Sequence, residues 1–265
     1  LSKSDESNFC LVGIKNISVE FAQMLEKEKP IVAFGPSDPP LEYLMNLIAI
    51  VRDTNCAVTK QILDYEQSET NNWNPTKVES NEDLNALLAQ KLQVNNCIEI
   101  QGPPGTGKTY RMAALSAELL RQGKSVLVTA LTNQALIELV KKKDLKDFLD
   151  AHKITKTSLT VDESKELPKL QPNPKNLCNA APGYLSLATF YLSSAWAKDA
   201  IEIPFDYVIM DEASQALYPM IAASMKLGRK IIWIGDQNQL PPIVLTGKDV
   251  INRYDWGAIV KGFNT

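Results

Sequence analysis

The sequence predicts an α/β protein: a parallel sheet covered by helices on both faces, preceded by a small N-terminal α/β or helical appendage. From residue 83 onward, short continuous Val/Ile/Leu runs alternate with helical stretches, the pattern of strands buried on both faces. These runs end in polar or glycine-rich loops, at the carboxyl ends where open α/β sheets hold their ligands. Residues 1–80 lack this alternation and differ in charge. They carry 7 Lys+Arg against 12 Asp+Glu, a balance of −5, and the remainder carries 21 against 19, or +2, of the chain's totals of 28 and 31.

Within the appendage, assigned to residues 1–66, PIVAFG (Pro30 to Gly35) reads as a short strand and PSDPP as a turn. Leu41 to Asp53 repeats apolar residues at helical spacing. A polar stretch broken by Asn and Pro makes residues 67–82 a linker. The main domain, 83–265, opens with the helix LNALLAQKLQ and the strand CIEIQ (Cys97 to Gln101), then a glycine loop and a helix through Gly123. The strand Ser125 to Leu131 is followed by a helix from Asn133 to about His152 and a polar, Pro-containing insert over 154–182. Three more strands follow: Tyr184 to Phe190, Asp206 to Glu212 and Lys230 to Asp236.

At 265 residues the chain is long enough to bury a substantial core. No apolar run approaches the roughly 20 residues that span a bilayer, and no basic-then-apolar leader opens the sequence. The expectation is a protein without a membrane partner, cytoplasmic or, in a eukaryote, nuclear. The four cysteines are dispersed with no CxxC pair, which argues against a zinc site or a disulfide framework. A single histidine, His152, excludes chemistry that needs a histidine cluster. Lys141, Lys142, Lys143 and Lys146 read as a solvated helix face, with a phosphate-tracking patch as the less common alternative.

Three strand ends carry chemistry. GPPGTGKT (Gly102, Pro103, Pro104, Gly105, Thr106, Gly107, Lys108, Thr109) fits G-x-x-x-x-G-K-[ST] between a strand and a helix. Its glycines let successive N–H groups turn inward around phosphate oxygens, and the helix N-terminus adds partial positive charge. Lys108 would reach the β and γ phosphates of ATP, and the Thr109 hydroxyl would ligate Mg²⁺. In YVIMDEAS, four apolar residues lead to Asp211, which would hold Mg²⁺ mostly through its waters, and to Glu212, which would polarise the attacking water. IIWIGDQNQLPPIV is a buried strand that ends in a polar, proline-closed loop.

QGPPGTGKT, DEASQA and GDQNQLPPI, in that order, resemble motifs I, II and III of superfamily 1 helicases, in particular the Upf-like group of subfamily 1B. The resemblance covers about Leu84 to Val244 and implies the first RecA-like motor domain of an ATP-dependent helicase. It makes Gln239 the side chain that contacts the γ-phosphate and signals to bound nucleic acid. VLVTALTNQAL resembles motif Ia, which puts Thr132 and Asn133 near a nucleic-acid phosphate, with Leu131 standing where the family usually has proline. YLSLATF resembles a later motif in which Thr189 meets the strand backbone; a plain β-branched strand residue is the equal alternative. For the family's adenine-reading glutamine, Asn85 and Gln90 both fall near the place, and Gln90 is favoured. The insert falls where the family carries a small accessory subdomain.

The resemblance also implies partners: single-stranded DNA or RNA, travelled 5′ to 3′, and a second RecA-like domain that supplies an arginine to the ATP site. Such an arginine is worth about 10³ to 10⁵ in rate, so the 265 residues alone are expected to bind nucleotide and hydrolyse it poorly. Two readings compete with the motor. One is a nucleotide-controlled module whose acidic appendage docks a protein partner, and the other is a P-loop ATPase with no nucleic-acid role.

Overall fold

The computed structural model describes residues 41–53, 75–79, 82–173, 179–236, 238–239, 247–253 and 257, with residues 2–3, 10–11, 19–20, 23 and 27. The chain divides into two compact units, Leu1–Asp38 and Pro39–Thr265. In the first, β1 (Ser2–Lys3) and β2 (Cys10–Leu11) pair antiparallel. The strand read at residues 30–35 and most of the linker read at 67–82 lie outside the described residues.

The second unit is built on a seven-stranded, wholly parallel sheet. Its strands are β3 (Cys97–Gln101), β4 (Val126–Ala130), β5 (Ile154–Lys156), β6 (Gln171–Pro172), β7 (Leu185–Thr189), β8 (Phe205–Met210) and β9 (Gly228–Gly235). Their order is β3-β9-β8-β4-β7-β5-β6. The helices that flank it are α1 (Leu41–Arg52), α2 (Leu84–Val94), α3 (Lys108–Arg121), α4 (Asn133–Val140), α5 (Lys146–Asp150), α6 (Val161–Glu166), α7 (Phe190–Asp199) and α8 (Tyr218–Leu227); α9 (Lys248–Arg253) comes last.

Strand alternation sends successive side chains to opposite faces. Val126 and Val128 join Met112, Leu119 and Leu136 of α3 and α4 in one core. Leu127 and Val208 pack with Ala197, Ala222 and Leu227 of α7 and α8 in another. All of these residues are 5% exposed or less, so both faces are covered. The element starts are written locally. Asp83 caps α2 by accepting the Asn85 and Ala86 N–H groups at 3.0 and 3.2 Å, and Thr160 and Glu163 form a capping box at α6. At the opposite end of the sheet, the Asp206 carboxylate accepts both the N–H and the hydroxyl of Ser125, at 2.9 and 3.0 Å, and locks β4 to β8.

Three expectations are modified. The helix read from Asn133 to about His152 is broken into α4, a 3₁₀ turn (Lys143–Leu145) and α5. The break turns Leu145 wholly into the core and leaves Lys143 exposed, and His152, in the left-handed region at φ 57°, ends α5. The polar insert contributes two short strands to the main sheet, because β5 and β6 extend its edge. Lys156 can be polar and 1% exposed there because its ammonium meets Glu163 at 3.2 Å and donates to the Ser158 carbonyl at 2.7 Å. Finally, α1 belongs with the sheet and not with the first 38 residues. Tyr43 and Leu47 share a core with Phe190, Met210, Ala213, Ala216 and Ile221, and Asp53 pairs with Lys226 at 2.7 Å.

Leu47 is fully buried, whereas Leu44 on the same helix is 37% exposed. Leu47→Ala is therefore expected to cost about 2–5 kcal/mol in chemical denaturation, and Leu44→Ala less than about 1 kcal/mol.

Candidate nucleotide site at adjacent strand ends

The sheet order brings the first motif, the third and the second side by side on β3, β9 and β8, in that sequence. Gln101 pairs with Gly235 at the end of the β3–β9 ladder, and the Gly102 N–H donates to the Gly235 carbonyl at 3.0 Å. Gly102 is buried and the loop from Pro103 to Gly107 is exposed, and Gly105 and Gly107 adopt φ 81° and 76°, open to residues without a side chain. Thr106 donates its hydroxyl to the Pro103 carbonyl at 2.8 Å and pins the loop's base. Lys108 begins α3, and its ammonium folds back to the Gly102 carbonyl. A Cβ on Gly102 would lie 2.9 Å from the Thr106 hydroxyl and 3.0 Å from the Lys108 Cγ. The cradle thus has the chemistry of a phosphate site: N–H groups around a glycine-lined loop, a lysine at its rim and a helix N-terminus behind it.

At the end of β8, Asp211 is 6% exposed and its N–H continues the sheet to the Thr129 carbonyl at 2.9 Å. Glu212 leaves the strand in the left-handed region, φ 55° and ψ 33°, and donates its N–H to Asp211 Oδ1 at 2.9 Å. Burial pushes the Asp211 carboxyl up, while the Glu212 N–H and the Lys108 charge oppose that. Burial also raises Glu212, Asp211 adds repulsion, and the Leu131 N–H and Lys108 pull it down. Glu212 Oε2 is buried with no hydrogen-bond partner among the described residues. Two crowded carboxylates, one with an orphaned oxygen, that feel the charge of Lys108, together with the Thr109 hydroxyl in the first turn of α3, are a donor set for a hard divalent cation. Residues for ATP and Mg²⁺ therefore fit the site. Among the described residues no cluster of three or more His, Cys, Asp or Glu could hold a metal ion by itself.

The third motif is tied to the second. Asp236 is 3% exposed; its N–H reaches the Ser214 hydroxyl at 3.3 Å, its Oδ1 accepts the Asn238 N–H at 3.0 Å and its carbonyl accepts the Gln239 N–H at 2.9 Å. Gln239 is half-buried just beyond that turn; residues 240–246, including the two prolines, lie outside the described residues. Ser214, whose sequence signal was only its place inside DEASQ, is the link that sequence reasoning did not assign.

Thr132 and Asn133 stand exposed at the end of β4, where the Thr132 hydroxyl caps α4 by accepting the Ala135 N–H at 3.2 Å. Thr189 ends the neighbouring strand β7, opposite Ala130, and makes no capping bond at α7. These three residues are therefore brought together on one edge. Gln90 is exposed on α2, before β3, and Asn85 lies in the first turn of that helix.

The AAA domain family matches residues 79–169 and 187–247, more than half of the chain. The chain belongs to that family, and it is a RecA-like domain of the superfamily 1, Upf-like helicases. It is 30% identical over 162 residues to the DNA replication ATP-dependent helicase/nuclease DNA2 of Saccharomyces cerevisiae, across 55% of this chain and 10% of that protein. Against the human protein of the same name it is 33% identical over 154 residues, across 55% and 14%. Against the Regulator of nonsense transcripts 1 homolog of Drosophila melanogaster it is 30% identical over 185 residues, across 56% and 16%. The matched region thus spans only 10% to 16% of these relatives' lengths.

Gly235 is required by close approach: a Cβ there would meet the Ser214 backbone nitrogen at 2.9 Å. Gly235→Ala must move the acidic turn. It is expected to lower the unfolding midpoint by a few degrees, equivalent to about 1–3 kcal/mol, and to weaken nucleotide binding measured by fluorescence of a labelled ATP.

Proposed function

We propose that this chain is the ATP-binding first motor domain of a helicase that couples ATP hydrolysis to movement along single-stranded DNA or RNA and to strand separation. The observation that carries this reading is the convergence of the cradle, the acidic pair and the Asp236 turn on adjacent strand ends, with the Lys108 charge felt at both carboxylates. The relatives named as helicases support it.

In this reading the N–H groups from Gly102 to Thr109 surround the β-phosphate, and Lys108 exchanges its bond to the Gly102 carbonyl for the β and γ phosphate oxygens. Thr109 and Asp211 would hold Mg²⁺, which when bound neutralises charge on those oxygens. Glu212 accepts the proton of the attacking water; its half-buried carboxylate, with one oxygen lacking a hydrogen-bond partner among the described residues, is suited to that role because burial raises its basicity. Gln239 meets the γ-phosphate, and through Asp236 and Ser214 its turn is tied to the acidic motif. Gln90 is the proposed adenine reader. Thr132, Asn133 and Thr189 form the nucleic-acid contact, mainly to the backbone, as suits a sequence-tolerant motor. A second RecA-like domain supplies the remaining charge at the ATP site.

Glu212→Gln in the full-length protein is expected to lower kcat for ATP hydrolysis by about 10² to 10⁴ with nucleotide affinity changed less than about threefold. Hydrolysis at the wild-type rate would remove Glu212 as the base. Chelating Mg²⁺ with EDTA is expected to abolish turnover and restore it on re-addition. A full-length protein whose ATPase ignores added single strands would instead favour a nucleotide-controlled interaction module.

A further inference from the structure

The lysines after α4 do not all face solvent alike. Lys141 is spent on two ion pairs, with Glu138 and Glu166, both at 2.7 Å. Lys143 is exposed and forms no ion pair among the described residues. Its ammonium lies instead 5.6 Å from the centroid of the Tyr110 ring, within cation–π range. Tyr110 directly follows Thr109 of the cradle and is 46% exposed. The core holds this pair in place. The 3₁₀ turn that carries Lys143 packs against α3, and Leu145 at its end shares a core with Met112 and Leu115 of α3 and Leu139 and Val140 of α4. The break after Val140 thus brings a lysine, distant in the chain, to the first turn of α3.

In the nucleotide site, Lys108, Thr109 and the acidic pair serve the β and γ phosphates and Mg²⁺, and Lys108 is the lysine whose charge reaches Asp211 and Glu212. The α-phosphate has no cation of this chain. Helical bonding in α3 starts with the Arg111 N–H, which donates to the Gly107 carbonyl at 2.9 Å, so Tyr110 is the last residue whose N–H is open to a phosphate. Lys143 adds its charge at that step.

We propose that Lys143 is a nucleotide-binding residue: seated on the Tyr110 ring, its ammonium meets the α-phosphate of a bound nucleoside triphosphate. The proposal rests on the reading of the cradle as the ATP site and extends that site to a residue outside all three motifs. Tyr110 is the positioning residue, because its ring restrains a flexible four-carbon stem before the nucleotide arrives. Since the partner is a phosphate, the contact is indifferent to the base.

In the full-length protein, Lys143→Ala is expected to raise the Kd of a fluorescently labelled ATP about tenfold, the order of one hydrogen bond to a charged group. Unlabelled ATP and GTP, used as competitors, weaken equally. Tyr110→Phe keeps the ring and stays within about twofold of wild type, whereas Tyr110→Ala weakens binding about fivefold and adds nothing to Lys143→Ala. Lys142→Ala, one residue away, changes Kd less than about twofold. An ATP analogue with a methyl group in place of one non-bridging α-phosphate oxygen binds wild type more weakly than ATP, and Lys143→Ala narrows that gap by about threefold or more. The gap is a ratio within each variant, so a partly unfolded variant does not mimic it. An unchanged Kd for Lys143→Ala, an unchanged gap, a fall confined to ATP, or an equal fall for Lys142→Ala overturns the proposal. If Lys108→Ala binds labelled ATP as wild type does, the cradle reading fails and this proposal falls with it; a weak Lys108→Ala beside a normal Lys143→Ala removes this proposal alone.

Discussion

The insertion of β9 between β3 and β8 is the constraint on which the candidate site depends. A parallel sheet sends all its carboxyl ends to one edge, and this order places the glycine loop, the Asp236 turn and the acidic pair on three consecutive ends. The join is close on both sides of Gly235. Its carbonyl accepts the Gly102 N–H at 3.0 Å, and its missing Cβ leaves room for the Ser214 backbone. No single side chain in the site could keep its neighbours if β9 lay elsewhere.

Electrostatics at that edge is only partly compensated within the protein. Asp211 and Glu212 are adjacent, crowded away from water and raised by burial, and Lys108 only partly offsets them. Glu212 also accepts a left-handed backbone, which costs a non-glycine residue on the order of 1–2 kcal/mol. Strain and crowded charge gathered at one strand end are the marks of a site completed by something else, and nucleotide phosphates with a divalent cation are the completion proposed above.

Nearly all of the central sheet was legible. The apolar runs of β4, β7, β8 and β9 are continuous because both faces are largely buried, and the three motifs were readable because glycine, lysine and carboxylates have few other reasons to follow a strand. The sheet edge was harder to see. Ile154 to Lys156 reads as polar, since Lys156 is buried by virtue of the Ser158 carbonyl and of Glu163, seven residues away on α6. The break after Val140 was hidden because Lys141 to Lys143 suit a helix as well as a turn; burial of Leu145 selects the turn.

By itself the sequence determined the class of fold, the phosphate loop, the acidic pair and the turn after β9, because each rests on local rules of strand period, glycine conformation and side-chain chemistry. Only the tertiary structure decided which strands are neighbours, that α1 packs behind the acidic turn, and that Ser214 joins the second and third motifs. Those are contacts between residues distant in the chain, and they follow from the register and order of a parallel sheet, which no local pattern encodes.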